Sequence, residues 1–371
     1  MPVKTDTFLG ANTPIGFVSL FDELYDPYQE QHLYIIKGGP GCGKSTFLKR
    51  VAEKAIARGL SAELVHCGSD PDSLDGVILP DCGIALCDGT APHVMEPKFP
   101  GISETILNFG RFWDSTKLQP HAADIRRLTL ECAIFHRRST RFLQAAGTLS
   151  DDMIRVAAPA IDEEKLAGYA LRFCHRELQQ KKPVAPGRRL HRYLSGITPR
   201  GNLAFVDTVA ALAARVIAVA DETGAVAGKL VEQIGERAIA AGYDAIFCRN
   251  PLQPNGDSEH LILPQASLAI VTQKRLHAYH FAASRTLHAQ RFLRDDLLSK
   301  KRARLNFDRQ LIRSLLDESI AQQQLAKQTH DQLETFYAAA MDFDALQAYT
   351  ESFADSLFAT ALKRGAKRAN A

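Results

Sequence analysis

The run Gly38-Gly39-Pro40-Gly41-Cys42-Gly43-Lys44-Ser45-Thr46 fills every required position of the pattern G-x-x-x-x-G-K-[ST]. Glycines at this spacing let a loop curl until successive backbone N–H groups point inward, as the oxygens of a polyphosphate require. The apolar run from Leu33 to Lys37 reads as a buried parallel strand. The segment after the loop reads as a helix to about Arg58, stopped by Gly59. The start of that helix adds partial positive charge. Gly38, Gly39, Gly41, Cys42 and Gly43 then form a backbone cradle. Lys44 is expected to reach the β- and γ-phosphates, the Ser45 hydroxyl to ligand Mg²⁺, and Thr46 to meet the α-phosphate. The implied ligand is a nucleoside triphosphate with Mg²⁺.

Such a metal needs a carboxylate at the end of a second buried strand, and Gly83-Ile84-Ala85-Leu86-Cys87-Asp88 ends on one. Asp88 is the expected metal contact, although an aspartate before Gly89 also suits a plain turn. No glutamate stands next to Asp88, so Thr90 and His93 are the candidates to position a nucleophile. Between the two motifs, residues 62–66 read as a strand, followed by Asp70-Pro71-Asp72-Ser73-Leu74-Asp75. Ligands collect at the carboxyl edge of open α/β sheets, so these carboxylates can meet a γ-phosphate or a second substrate. A side-chain-capped turn explains them equally well.

By these residues the first half resembles the P-loop NTPases. Its loop is closer to ATP-using members with G-x-P-G-x-G-K-[ST] than to the GTPases, and no N-K-x-D-like guanine-reading motif follows. Residues 83–88 are then a Walker B-like segment. Nearly the whole chain resembles a bacterial group of ATP-binding proteins built from two P-loop halves. It shares with them F-L-G-x-N-T-x-x-G-F at Phe8 to Phe17, the phosphate loop, and D-G-T-A-P-H at Asp88 to His93. The resemblance implies ATP and two related folds; it implies no particular reaction.

The elements that must position these residues occur twice. Leu9, Thr13, Pro14, Gly16 and Asp22 recur in order as Leu194, Thr198, Pro199, Gly201 and Asp207. Residues 47–60 align without gaps on 230–243, Leu79-Pro80 on Leu263-Pro264, and His93 on His277, a recurrence that a structural histidine shared by both copies explains as well as a catalytic role explains His93. In the second copy Asp221 stands where Gly38 does, Ala227 where Lys44 does, and Gly228 where Ser45 does. The second buried strand, 268–272, ends in Thr272 instead of an aspartate. The expected second half is a degenerate partner, with Lys274 and Arg275 either solvated or reaching the first site as an arginine finger does.

The expected fold is α/β: two tandem three-layer domains with mainly parallel sheets, 1–182 and 183–371, joined through the Pro- and Gly-bearing 181–189. Each is expected to carry a helical hairpin, with polar breaks at Gly147 to Asp152 and near Asp342. Forty-five basic against 42 acidic residues argue against a dedicated nucleic-acid or membrane partner, leaving the basic run 297–309 as the one weak pointer to nucleic acid. Seven cysteines without metal-ligand spacing suit free thiols in the cytoplasm. Neither a signal sequence nor a membrane span is expected. The leading reading is a slow Mg-dependent ATPase acting as a nucleotide-driven switch. A small-molecule kinase, with Asp70, Asp72 or Asp75 orienting the acceptor, and a nucleotide-gated binding protein without turnover are the alternatives.

Overall fold

The computed structural model describes residues 2–29, 31–179 and 185–369, so residues 181–184 of the expected linker lie outside them. The chain opens with β1 (Lys4–Thr7) and the hairpin β2 (Gly10–Thr13) and β3 (Gly16–Ser19). Then come β4 (His32–Lys37), α1 (Lys44–Ala57), β5 (Ala62–His66), β6 (Leu74–Leu79), β7 (Ile84–Asp88) and β8 (Glu104–Asn108). The first round ends in α2 (Ser115–Leu118), α3 (Ala122–Ala157) and α4 (Glu163–Glu177). The second runs through β9 (Arg189–Arg192), the hairpin β10 (Ser195–Thr198) and β11 (Gly201–Ala204), α5 (Val206–Leu212) and β12 (Arg215–Ala220). It continues with α6 (Ala225–Ala240), β13 (Ala245–Cys248), β14 (His260–Leu263), β15 (Leu268–Gln273) and β16 (Arg285–His288). It closes with α7 (Asp295–Ser299), α8 (Arg302–Ala340) and α9 (Phe343–Ala369).

The duplication read from the sequence is present in the topology. One sheet has the order β1-β5-β6-β7-β4-β8 and the other β9-β13-β14-β15-β12-β16. In each, the third strand, β6 or β14, is antiparallel to both neighbours and the remaining pairings are parallel. The fold is therefore α/β, with two mainly parallel mixed sheets. In the second sheet, alternating residues split between two faces. Ile217 and Val219 join α4 and α6, whereas Val216 and Ala218 join Val209 of α5. Among the described residues, no helix is long and apolar enough to cross a membrane.

The compact units are not the contiguous halves 1–182 and 183–371. One comprises 1–10, 19–137 and 322–371, the other 11–18 and 138–321. The cause is an exchange of terminal helices. Leu166, Ala170 and Phe173 of α4 share a core with Leu230 and Ile234 of α6, a helix of the second repeat. Leu346, Leu357 and Phe358 of α9 share a core with Phe47, Leu48 and Val51 of α1, a helix of the first. Matching backbone bonds fix both exchanges: Asp162 N donates to Phe292 O and Asp342 N to Phe112 O, each at 2.8 Å. The aspartates then cap their helices, Asp162 Oδ1 accepting from Lys165 N at 3.0 Å and Asp342 Oδ1 from Ala345 N at 2.9 Å.

The expected hairpins are corrected accordingly. The break near Asp342 is present, but α3 runs unbroken through Gly147 to Asp152, and its interruption comes at Ala158–Ala160, where Pro159 cannot continue the helix. Each long helix pairs antiparallel with the other: His121 meets Phe336 and Cys132 meets Ala326 in one unit, while Ser139 meets Ser319 and Asp152 meets Arg304 in the second. Gly147 is a point of close approach. A Cβ there would lie 2.9 Å from Pro14 Cβ and closer still to Pro14 Cγ. Alanine gains about 1 kcal/mol over glycine inside a helix, but overpacking costs roughly 1–3 kcal/mol. Gly147→Ala is therefore expected to destabilise the protein by about 1–2 kcal/mol in urea denaturation, opposite in sign to its helix propensity.

Candidate functional site

The glycine-rich loop 38–43, the expected phosphate loop, hangs between β4 and α1. Gly41 and Gly43 have φ of 64° and 81°, values that a side chain resists, and Gly43 is the residue from which α1 starts. Gly38 must also be small, since a Cβ there would sit 2.6 Å from Cys42 Sγ. Cys42 is buried, which pushes its thiol up and makes it a packing residue of the loop. Lys44 Nζ donates to Gly39 O at 2.7 Å and Gly38 O at 3.2 Å, and lies 3.4 Å from Asp88 Oδ2. Parallel pairing places Ile36 opposite Asp88, so the loop and the carboxylate leave adjacent strands at the same edge. Ser45 Oγ accepts from Leu74 N at 2.9 Å, whereas Thr46 is exposed on the first turn.

Thr90 holds Asp88 in place: both its backbone N–H, at 2.9 Å, and its hydroxyl, at 2.6 Å, donate to Asp88 Oδ1. His93 is buried, stacks on Phe21 with ring centroids 4.5 Å apart, and brings Nε2 to 3.9 Å from Asp75 Oδ1. Asp75 belongs to β6, not to the turn in which the sequence reading grouped it. The turn itself is capped by Asp70, which accepts from Ser73 Oγ at 2.9 Å. Burial pushes the Asp75 carboxyl up to about 6, with Asp88 acting in the same direction and His93, Cys67 and Lys44 against it. Ligand atoms of Asp75, Asp88 and His93 all lie within 4.8 Å of one another, a spacing that suits one cation.

The most remote contribution comes from the end of α8. Glu334 Oε1 accepts from Gly41 N at 3.1 Å, and a Cβ on Gly39 would meet Tyr337 Cε1 at 2.8 Å. Lys327 Nζ stands 3.6 Å from Asp70 Oδ2. None of these residues carries a sequence signal, because each lies far along the chain from the residue it touches, Glu334 from Gly41 and Lys327 from Asp70. Asp75 did carry one. The register set by Leu79-Pro80 and Leu263-Pro264 aligns Asp75 with Glu259, as it aligns His93 with His277.

In the second unit α6 begins nearer its strand, leaving only the four residues from Asp221 to Gly224 between β12 and α6. Asp221, buried, fills the helix start with its own carboxylate. Oδ2 accepts from Val226 N at 2.8 Å and Ala227 N at 2.9 Å, while Oδ1 accepts from the backbone and hydroxyl of Thr223, both at 3.0 Å. The donors that a phosphate would need are taken. Lys274, at the position of Thr90, lies 2.8 Å from Glu259, and Arg275 lies 3.2 Å from Glu222. Both cations expected as finger candidates are thus engaged within their own unit. Burial alone would raise the Glu259 carboxyl, but Lys274, His277 and His260 hold it well below the usual range. In the basic run 297–309, Arg304 pairs with Asp152 and Arg309 with Glu222 at 3.3 Å.

Comparison with protein-family models, with curated proteins and with solved structures finds no match to this chain.

His260 offers a check on the second unit. Its Nδ1 accepts from Thr272 N at 3.0 Å, a bond only the neutral ring makes in this orientation, and burial lowers its pKa from 6.5 to about 4. Between those values the unfolded chain holds the extra proton. The contribution to stability is present above pH 6.5 and is lost as pH falls toward 4. Thermal unfolding midpoints of wild type and His260→Asn, followed across that interval, should converge as the pH falls, because the variant has no ring to titrate.

Proposed function

We propose that the first half binds ATP with Mg²⁺ and turns it over slowly, as a nucleotide-driven switch. The observation carrying this reading is the position of Lys44 Nζ. It lies at the start of α1, against the loop carbonyls and 3.4 Å from Asp88. This ammonium and this carboxylate neutralise each other. A polyphosphate attracts the first and a divalent cation the second, so the pair can exchange its internal partners for ligand without leaving a buried charge alone. The metal's other protein contact is Ser45 Oγ, which accepts one bond from Leu74 N and keeps a second lone pair.

Thr90 acts as a positioning residue for Asp88. The group able to take a proton from an attacking water is Asp75, whose raised carboxyl value places it nearer neutrality than an ordinary aspartate. No acidic side chain stands directly after Asp88 in sequence, and the pairing of Asp75 with His93 is loose at 3.9 Å. Both features favour low turnover over fast hydrolysis. The second half cannot use the same chemistry, since Asp221 closes its loop.

Titration calorimetry with ATP and Mg²⁺ is expected to give one site per chain. Lys44→Ala removes a desolvated charge partner, a loss of roughly 2–5 kcal/mol, and should abolish measurable binding and turnover together. Asp88→Asn should retain nucleotide affinity without metal and lose the gain that Mg²⁺ provides. Absence of association with either adenine or guanine triphosphate in the presence of divalent metal defeats the reading. Turnover that depends on one hydroxyl-bearing metabolite redirects it to a kinase.

A further inference from the structure

The two phosphate-loop positions each already hold a carboxylate, and the contrast between them is informative. In the second unit Asp221 belongs to the loop itself, is buried and takes four donors, an arrangement with no room for exchange. In the first unit the carboxylate arrives from α8, on a side chain about 42% exposed, and makes a single bond, from Gly41 N at 3.1 Å. The backbone of α8 lies directly on the loop as well. A Cβ on Gly41 would meet Glu334 O at 2.8 Å, and one on Gly39 would meet Tyr337.

We propose that Glu334 is a displaceable latch on the phosphate loop. Its carboxylate occupies an amide that a polyphosphate needs, and nucleotide binding expels it and loosens residues 322–340 of α8 from the loop. This rests on the reading of the loop as a triphosphate site and adds how occupancy of that site is signalled. The physical reason is competition between two anions for the same N–H donor and the same positive end of α1. The polyphosphate wins because it also engages Lys44 and several amides, whereas Glu334 engages one. On its own helix the carboxylate has His330 Nδ1 at 3.7 Å from Oε1, the Lys327 ammonium two turns back and Asp331 beside it.

The single tryptophan of the chain reports the event. Trp113 packs against Tyr337 with ring centroids 6.0 Å apart, and its indole would lie 3.3 Å from a Cβ on Gly39. The experiment measures ATP affinity with Mg²⁺ by calorimetry, and Trp113 fluorescence, for the full chain as wild type, Glu334→Gln and Glu334→Ala. Circular dichroism confirms that each variant is folded. Removing the competing carboxylate is expected to tighten ATP binding by about tenfold, or 1.4 kcal/mol. It should also shift the nucleotide-free fluorescence of both variants toward the signal of ATP-saturated wild type. Unchanged or weakened affinity in both variants, with wild type binding normally, overturns the latch and leaves the binding site standing. No ATP association by wild type removes the site and the latch together.

Discussion

Backbone N–H groups at the start of a helix have no partner within the helix, and something must meet them. In this protein both copies of the fold place such a start directly after a central strand, where the donors are partly shielded from water. Each copy answers differently. The second spends one buried residue, Asp221, whose two oxygens satisfy the helix start and the adjoining turn at once. The first keeps its loop two residues longer, with glycines of positive φ at Gly41 and Gly43, and holds the donors in an open curve. Its Gly41 amide is met from outside the loop, by Glu334 of α8.

That openness demands support from outside the loop. Lys44 is restrained by Gly38, Gly39 and Asp88; Asp88 is restrained by Thr90; and Ser45 is tied to the first residue of β6. The far side is covered by helices from the other repeat, with Leu346 of α9 against Gly43 and Tyr337 of α8 against Gly39. The exchange of α4 and α9 follows from the same need for cover. Each of the two packs buried apolar residues on the helix that follows β4 or β12, α1 or α6. Neither repeat therefore completes its own core.

Much of this was legible in the residues because it is local. The strand at 62–66, the helix ending at Gly59, the strand running to Asp88 and the loop between β4 and α1 all follow from periodicity, glycine placement and a complete motif. Duplication was legible because ordered matches set a register. Choice of partner was not. Nothing in the apolar spacing of Leu166, Ala170 and Phe173 says which of two similar helices they cover, so the contiguous halves were the natural expectation and the exchange was invisible. Gly147 misled for a related reason: a glycine in a polar stretch reads as a break, yet here it admits Pro14 to the side of an intact helix. Glu334 was out of reach altogether, since its role depends only on tertiary approach.

The repeat also sorts the residues around Asp88 by what they are for. The acid–histidine pair is present in both units, as Asp75 with His93 and as Glu259 with His277, and each histidine stacks on an aromatic ring, Phe21 or Tyr279. A feature kept where the phosphate loop is closed cannot owe its existence to phosphate chemistry, so the pair belongs first to the packing of β6 and β14. Its charge is balanced from different places. In the second unit Lys274, at the position of Thr90, pairs with Glu259; in the first, Thr90 holds Asp88, and Lys44 at the start of α1 pairs with Asp88 and acts on Asp75 through space. What distinguishes the first unit is therefore a short set: Lys44, Ser45, Asp88 and the Thr90 that orients it. The ammonium thus stands just after β15 in one unit and on the first residue of α1 in the other.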